Sequence, residues 1–288
     1  MRERVIRWVL LLMALGVLVT LGLIAFFIFQ SGAGLIVRVG LGDFLGGTVW
    51  APTADPPQFG ILPMIIGSIW LTAGALVIGV PLGIAVAVFQ VELAPAWLSA
   101  ILRPTIQLLA GIPSVIYGFI GLTLLAPLVR STLGGPGLSI LTGAIVLGVM
   151  ILPSVIAVSE DALRAVPASI RDGAYALGAT HWQMISGVLL PTARSGIVAG
   201  VILGMGRALG ETMAVIMMVG NALTLPLSPL ESATTLTSNI ALELAYASGA
   251  HREALFATGV VLFCMIMLLN AVATMLVRQR AFSRRTTS

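Results

Sequence analysis

DGAYALGATHWQMISGVLLP, residues 172–191, is a polar, glycine-punctuated stretch set between two long apolar runs. Leading into and through it, Ile170, Ala174 and Leu177 recur at i, i+4 and i+7, which places one small apolar stripe on a short helix. Pro167 suits a first helical turn and Gly178 the residue just past its end. Thr180, followed three residues later by Gln183, reads as a capping box that restarts a second helix. The spacing predicts a protruding helix–turn–helix elbow, positioned to be gripped by something outside the bilayer.

The rest of the chain explains why such an elbow is conspicuous. Of 288 residues, 58% are hydrophobic and 9% charged, against roughly 25% charged in soluble domains; an all-α integral membrane protein is expected. Every one of the 15 basic residues is arginine. Without lysine the chain has no P-loop of its own and no Schiff-base chemistry. Cys264 is the single cysteine, which excludes an internal disulfide or a CxxC site. His181 and His251 lie in different loops, so a histidine metal site is not expected. The formal charge of +4 does not signal nucleic acid, because the arginines stand at the ends of apolar runs and read as topology signals.

Apolar runs of about 20 residues, enough to cross a bilayer, occupy 8–29, 64–89, 106–129, 138–158, 197–219 and 254–277. The first lacks a small-residue cleavage site and is expected to be a retained span. With the N-terminus in the cytoplasm, Arg2, Arg4, Arg7, Arg103, Arg164, Arg171, Arg194, Arg278, Arg280, Arg284 and Arg285 fall inside and Arg38, Arg130 and Arg252 outside, with Arg207 within a span. That bias satisfies the positive-inside rule and places both termini and the elbow in the cytoplasm. The organisation expected is an N-terminal helix and external loop at 1–63, a multi-span membrane domain at 64–277 and a basic cytoplasmic tail at 278–288. Trp50 anchors the Gly/Pro-rich external loop. Trp97, Leu98, Ile101 and Leu102 form an amphipathic segment along the inner surface. Gly134 to Gly137 make a tight external turn. Pro226 and Pro229 precede a short helix or re-entrant segment at 232–245, whose Thr234, Thr235, Thr237, Ser238 and Asn239 are expected to be solvated at the surface.

Arg207 and Glu211 lie within the fifth run, where each costs roughly 2.5–3.5 kcal/mol if it faces lipid. At about 100° per residue, Gly196, Gly200, Gly204, Arg207, Glu211 and Ala214 share one face, and small residues at four-residue steps permit close helix approach. That face is expected to point into protein or a water-lined path. Two readings stand: a neutralising i,i+4 ion pair, or an anion way-station in which the arginine fork meets an oxyanion and the glutamate keeps binding weak enough for release. In the third run, Gly111, Ile112, Pro113, Ser114, Val115, Ile116 and Tyr117 surround a proline expected to kink the helix, with Pro81 and Pro153 doing the same in the second and fourth.

The elbow resembles the EAA loop of ABC-importer permeases. Asp172, Gly173 and Ala174 stand for its EAA, Gly178 matches its glycine, and Val188, Leu190 and Pro191 close it at the same spacing; Asp for Glu and Gly for Ala are departures. GIPSVIYGFIGL at 111–122, GRALGETMAVIMMVGN at 206–221 and GLGDFLGGTVWAP at 40–52 resemble the PstC-type permeases of phosphate importers more narrowly. The resemblance implies six transmembrane helices in the type I ABC-importer architecture, with the elbow as coupling helix. It implies a bacterial cytoplasmic membrane location, a second permease of PstA type, a homodimeric ATPase of PstB type that binds ATP and Mg, and an external phosphate-binding protein of PstS type. It further implies that the chain holds no cofactor, is not itself an enzyme, and moves phosphate past Arg207, Glu211, Ser114 and Tyr117. The rival readings are a permease for molybdate or sulfate, and a secondary transporter driven by an ion gradient.

Overall fold

The computed structural model describes the backbone of residues 2–282 and the side chains of 4 and 6–275. Arg284 and Arg285 of the predicted tail lie outside the described residues. Along the chain come α1 (Arg2–Val39), α2 (Leu41–Gly46), an antiparallel hairpin of β1 (Trp50–Ala51) and β2 (Gln58–Phe59), and α3 (Leu62–Val88), which ends in a wide π turn, Phe89–Leu93. Next are α4 (Ala96–Gly111), α5 (Ser114–Ile120), a second wide turn (Gly121–Leu125) leading into α6 (Ala126–Leu133), and α7 (Ile140–Arg164). Then follow α8 (Ala168–Ala176), α9 (His181–Met184), a third wide turn (Ile185–Leu189) leading into α10 (Leu190–Gly210), α11 (Met213–Met218), α12 (Leu236–Glu243) and α13 (Gly249–Phe282). Six helical stretches among the described residues are long and apolar enough to cross a membrane: Ile6–Val39, Leu62–Leu93, Ser114–Leu133, Ile140–Arg164, His181–Gly210 and Gly249–Met275.

The chain forms two compact units, one from the segment up to Leu62 with Asn239–Cys264, the other from Pro63–Ser238 with the chain after Met265. In the first, α1 and α13 meet at Gly32, where a Cβ would come 2.6 Å from the Ala257 backbone nitrogen, and Phe27 meets Phe256 edge to face at 5.5 Å. Glu243 ties the hairpin down: its carboxylate accepts the Trp50 indole N–H at 2.9 Å and lies 2.6 Å from His251 Nε2.

In the second unit α7 is the central helix. Its apolar residues Leu147, Ile151 and Val155 lie in a core with Leu71, Tyr117, Ala208, Ala214 and Met218. The small-residue face of α10 lies against it. A Cβ on Gly196 would overlap that of Ala162, and those on Gly200 and Gly204 would come 3.2 Å and 3.0 Å from Val158 and Val155. The expected close approach is therefore realised, and it is unforgiving. Gly196→Val should cost about 1–3 kcal/mol by overpacking, read as a lower thermal unfolding midpoint in detergent. Gly187→Ala, whose Cβ meets nothing within 4 Å, should leave that midpoint unchanged.

Two sequence expectations are corrected. The third span starts at Ser114, because α4 runs to Gly111 as a separate helix with no buried residue and the chain breaks at Ile112 and Pro113, both extended. Pro81 and Pro153, by contrast, lie inside α3 and α7, which stay helical on both sides of them. Thr234, Thr235, Thr237, Ser238 and Asn239 are not solvated but buried, none more than 9% exposed. Their physical role follows from where the backbone runs. Non-helical chain inside the bundle has polar groups that must be satisfied internally, and Thr235, Thr237 and Ser238 do this, while the Thr234 hydroxyl and the Asn239 amide nitrogen find no partner among the described residues. Thr235 and Ser238 cap one another's backbone N–H, at 2.9 Å and 3.2 Å, and Ser68 Oγ accepts from Leu236 N–H at 3.0 Å.

Candidate functional site

Two places combine polarity with deliberate backbone geometry. The first is the pair of helix breaks. Gly111 ends α4; Ile112 (ψ 127°) and Pro113 (ψ 136°) are extended, and Ser114 opens α5. Gly210 ends α10; Glu211 (ψ 129°) is extended, and Met213 opens α11. Gly118 packs on Ala214 and Met217, and Gly121 on Met218. The contacts advance together along both helices, so α5 and α11 run parallel and their first turns lie on the same side of the unit.

The second break changes the reading of the charged pair. Glu211 lies beyond the end of α10, so the one-face, i,i+4 relation to Arg207 does not hold. Its Oε1 instead accepts the Ala214 N–H at 3.2 Å, capping α11, and its backbone carbonyl accepts the Thr237 hydroxyl at 3.1 Å. Arg207 stands half-buried in the last turn of α10 and forms no ion pair among the described residues. The structure thus removes the neutralising pair that was one of the two sequence readings. Tyr117 is buried and donates its hydroxyl across the first break to the Leu109 carbonyl at 2.9 Å. Ser114 is half-buried at the head of α5. Ser114 and Tyr117 thus stand at the first break and Arg207 and Glu211 at the second, in one unit.

The second place is the elbow. Its capping box is formed: Thr180 Oγ1 accepts the Gln183 N–H at 3.3 Å, and Gln183 Oε1 accepts the Thr180 N–H at 2.8 Å. Pro167 precedes α8 and does not enter its first turn. Gly178 takes φ 83°, the left-handed geometry that closes a helix end, and Ala179 N–H reaches back to the Ala174 carbonyl at 3.1 Å. The Tyr175 hydroxyl and His181 Nδ1 are 2.9 Å apart with their rings stacked, locking α8 to α9. Asp172, Gly173 and Gly178 are exposed, and Leu177 and Trp182 stand out at 91% and 68% exposure. Ala174, Val188 and Leu190 pack inward on Met184, Ile185 and Leu189; with Pro191, Val188 and Leu190 root the elbow in the helix that follows. The elbow's tip is an exposed apolar knob on a rigid base.

Sequence reasoning missed Arg171. Its guanidinium donates to Glu92 Oε1 at 3.1 Å and to the carbonyls of Val166 and Leu163 at 3.0 Å and 2.9 Å. The signal was faint, because an arginine at a span end reads first as a topology charge.

A helical membrane protein whose interrupted spans meet beside an arginine with no ion pair among the described residues, and with an elbow at the foot of one span, has the parts of a transport protein of the permease class. Over residues 79–287 the chain matches the binding-protein-dependent transport system inner membrane components, and it belongs to that family. It is 46% identical to the probable ABC transporter permease protein YqgH of Bacillus subtilis over 78% of this chain and 74% of that one. It is 38% identical to the phosphate transport system permease protein PstC of Mesorhizobium japonicum over 90% and 85%. Among solved structures, a bacterial ABC transporter that imports alginate aligns with TM-score 0.63 and 18% identity over 93% of this chain and 95% of that one. The MetNI methionine ABC transporter, inward facing, aligns with TM-score 0.56 and 21% identity over 76% and 94%. These likenesses establish the type I ABC-importer permease fold.

Proposed function

We propose that the chain is one transmembrane half of an ATP-driven phosphate importer in a bacterial cytoplasmic membrane, and that it is not itself a catalyst. The observation that carries the reading is the convergence of two broken spans beside Arg207, which forms no ion pair among the described residues. A guanidinium fork offers an oxyanion several charge-assisted donors at once, and the Ser114 and Tyr117 hydroxyls add uncharged partners. Glu211, held on the α11 backbone, is a nearby like charge that keeps an anion from binding too tightly to leave. Phosphate is the anion favoured, because relatives matched over most of the chain are phosphate permeases.

The elbow is then the handle for a separate motor. Its exposed Leu177 and Trp182 fit a groove of an ATPase subunit, which supplies the ATP and Mg chemistry that this lysine-free chain lacks. Closure of the ATPase dimer would draw the elbow and move the spans around a path shared with a second permease of PstA type. Substrate arrives from a PstS-type binding protein on the opposite face. Both termini and the elbow are cytoplasmic in this arrangement, in keeping with the arginine bias.

Proteoliposomes holding the chain with its second permease and ATPase should accumulate labelled phosphate when ATP and the binding protein are both supplied. Unlabelled sulfate or molybdate in excess should not compete. Preferential uptake of either would move the substrate assignment, and uptake by this chain alone under an ion gradient would replace the importer with a secondary transporter.

A further inference from the structure

The elbow is fastened to the bundle at one point that the family resemblance does not mark. Arg171, inside α8, holds three segments with one planar group: Leu163 at the end of α7, Val166 in the turn out of it, and Glu92 in the wide turn at the end of α3's span. The pair is withdrawn from solvent, with side-chain exposures of 21% for Arg171 and 10% for Glu92. A flexible surface pair would swing; a bidentate cap on a helix end with a buried carboxylate beside it moves as one body.

The wide turn on the other side of that joint is where movement can be absorbed. A π turn is an irregularity within the i→i+4 ladder, and such turns cluster at functional positions. This one carries Gln90, which is 3% exposed and whose amide oxygen and nitrogen both lack a hydrogen-bond partner. An orphaned buried amide is costly, so a rearrangement that gave it partners would be favoured. Gln90 lines a cavity of about 300 Å³ shared with Arg103, Gln107, Glu160 and Asp161. There Glu160 accepts from Arg103 at 2.6 Å and Arg164 at 2.9 Å, both on one carboxylate oxygen. The turn thus has an unsatisfied side chain beside an ion cluster with free hydrogen-bonding capacity.

Resting on the importer reading above, we infer that Arg171 and Glu92 are positioning residues that form the force-transmitting joint between the docked elbow and α3. Movement of α8 pulls Glu92 through Arg171, the wide turn rewinds, and the Gln90 amide docks on the Arg103–Glu160 cluster. Two discrete arrangements of one turn, biased from the motor side, are what physical coupling requires.

The test is the ratio of phosphate moved to ATP hydrolysed by the assembled complex in proteoliposomes. Glu92→Gln should copurify with the ATPase at the unaltered ratio of subunits, yet move about tenfold less phosphate per ATP, within the range typical of coupling between two sites. Arg171→Lys keeps the charge but not the fork and should fall in between. Gln90→Leu should lower the ratio without touching the ion pair. The joint is disproved if these variants assemble and keep the full ratio, or if they only lower the yield of complex at an unaltered ratio, as a merely structural pair would. Should the unmodified complex move some other anion, the substrate reading fails, while the same ratio measured with that anion still judges the joint.

Discussion

Arg207→Gln should reduce ATP-driven phosphate uptake by about 10- to 100-fold while the complex still assembles and its ATPase still responds to the binding protein. The size follows from the loss of charge-assisted hydrogen bonds of about 1.5–3 kcal/mol in a site shielded from water, with 1.4 kcal/mol per tenfold. Assembly should survive because Arg207 forms no ion pair among the described residues and Glu211 already has the Ala214 N–H. Glutamine is polar, fits the half-buried position and leaves no carboxylate newly unpaired. Uptake at the unaltered rate would show that the arginine only helps to seat α10, and the path would have to be sought elsewhere.

Gly178→Trp should detach the elbow from its motor without unfolding the spans. A Cβ at Gly178 meets nothing within 4 Å, so the native chain has room for the indole, but that room is the surface beside Leu177. The backbone adds a smaller penalty, since φ is 83° and an L-residue there costs roughly 1–2 kcal/mol. Gly178→Ala separates the two effects. Alanine carries the same strain without the bulk, and it should retain the ATPase on copurification while tryptophan releases it and abolishes uptake. Retention of the ATPase by the tryptophan variant would remove the elbow as the docking element.

Much of this architecture could be read from the chain. Run lengths foretold six membrane-crossing stretches, because the bilayer imposes a length that few other environments demand. The capping box at Thr180 and Gln183 was legible because it depends on residues three apart. Pro113 signalled a disturbance, and the structure turned the expected kink into a full break. The break after Gly210 was hidden by a face that fits a continuous helix perfectly well; only the glycine pair Gly206 and Gly210 and the charge at Glu211 hinted at it. The threonine and serine run at 234–238 misled, since polarity between apolar spans reads as solvent contact. Two of its groups, the Leu236 N–H and the Thr237 hydroxyl, have their partners in Ser68 and the Glu211 carbonyl, which are distant in the chain.

By itself the sequence determined the solvent of this protein, the number of stretches long and apolar enough to cross it, the elbow and the lack of a lysine for a P-loop, because each depends on composition or on neighbours within one helical turn. Tertiary structure alone decided that Glu211 turns away from Arg207 to cap α11, that a polar segment is buried to satisfy broken helices, and that Arg171 binds the elbow to two spans. Those outcomes depend on which distant backbone groups are left without partners inside an apolar bundle, and local periodicity carries no record of that.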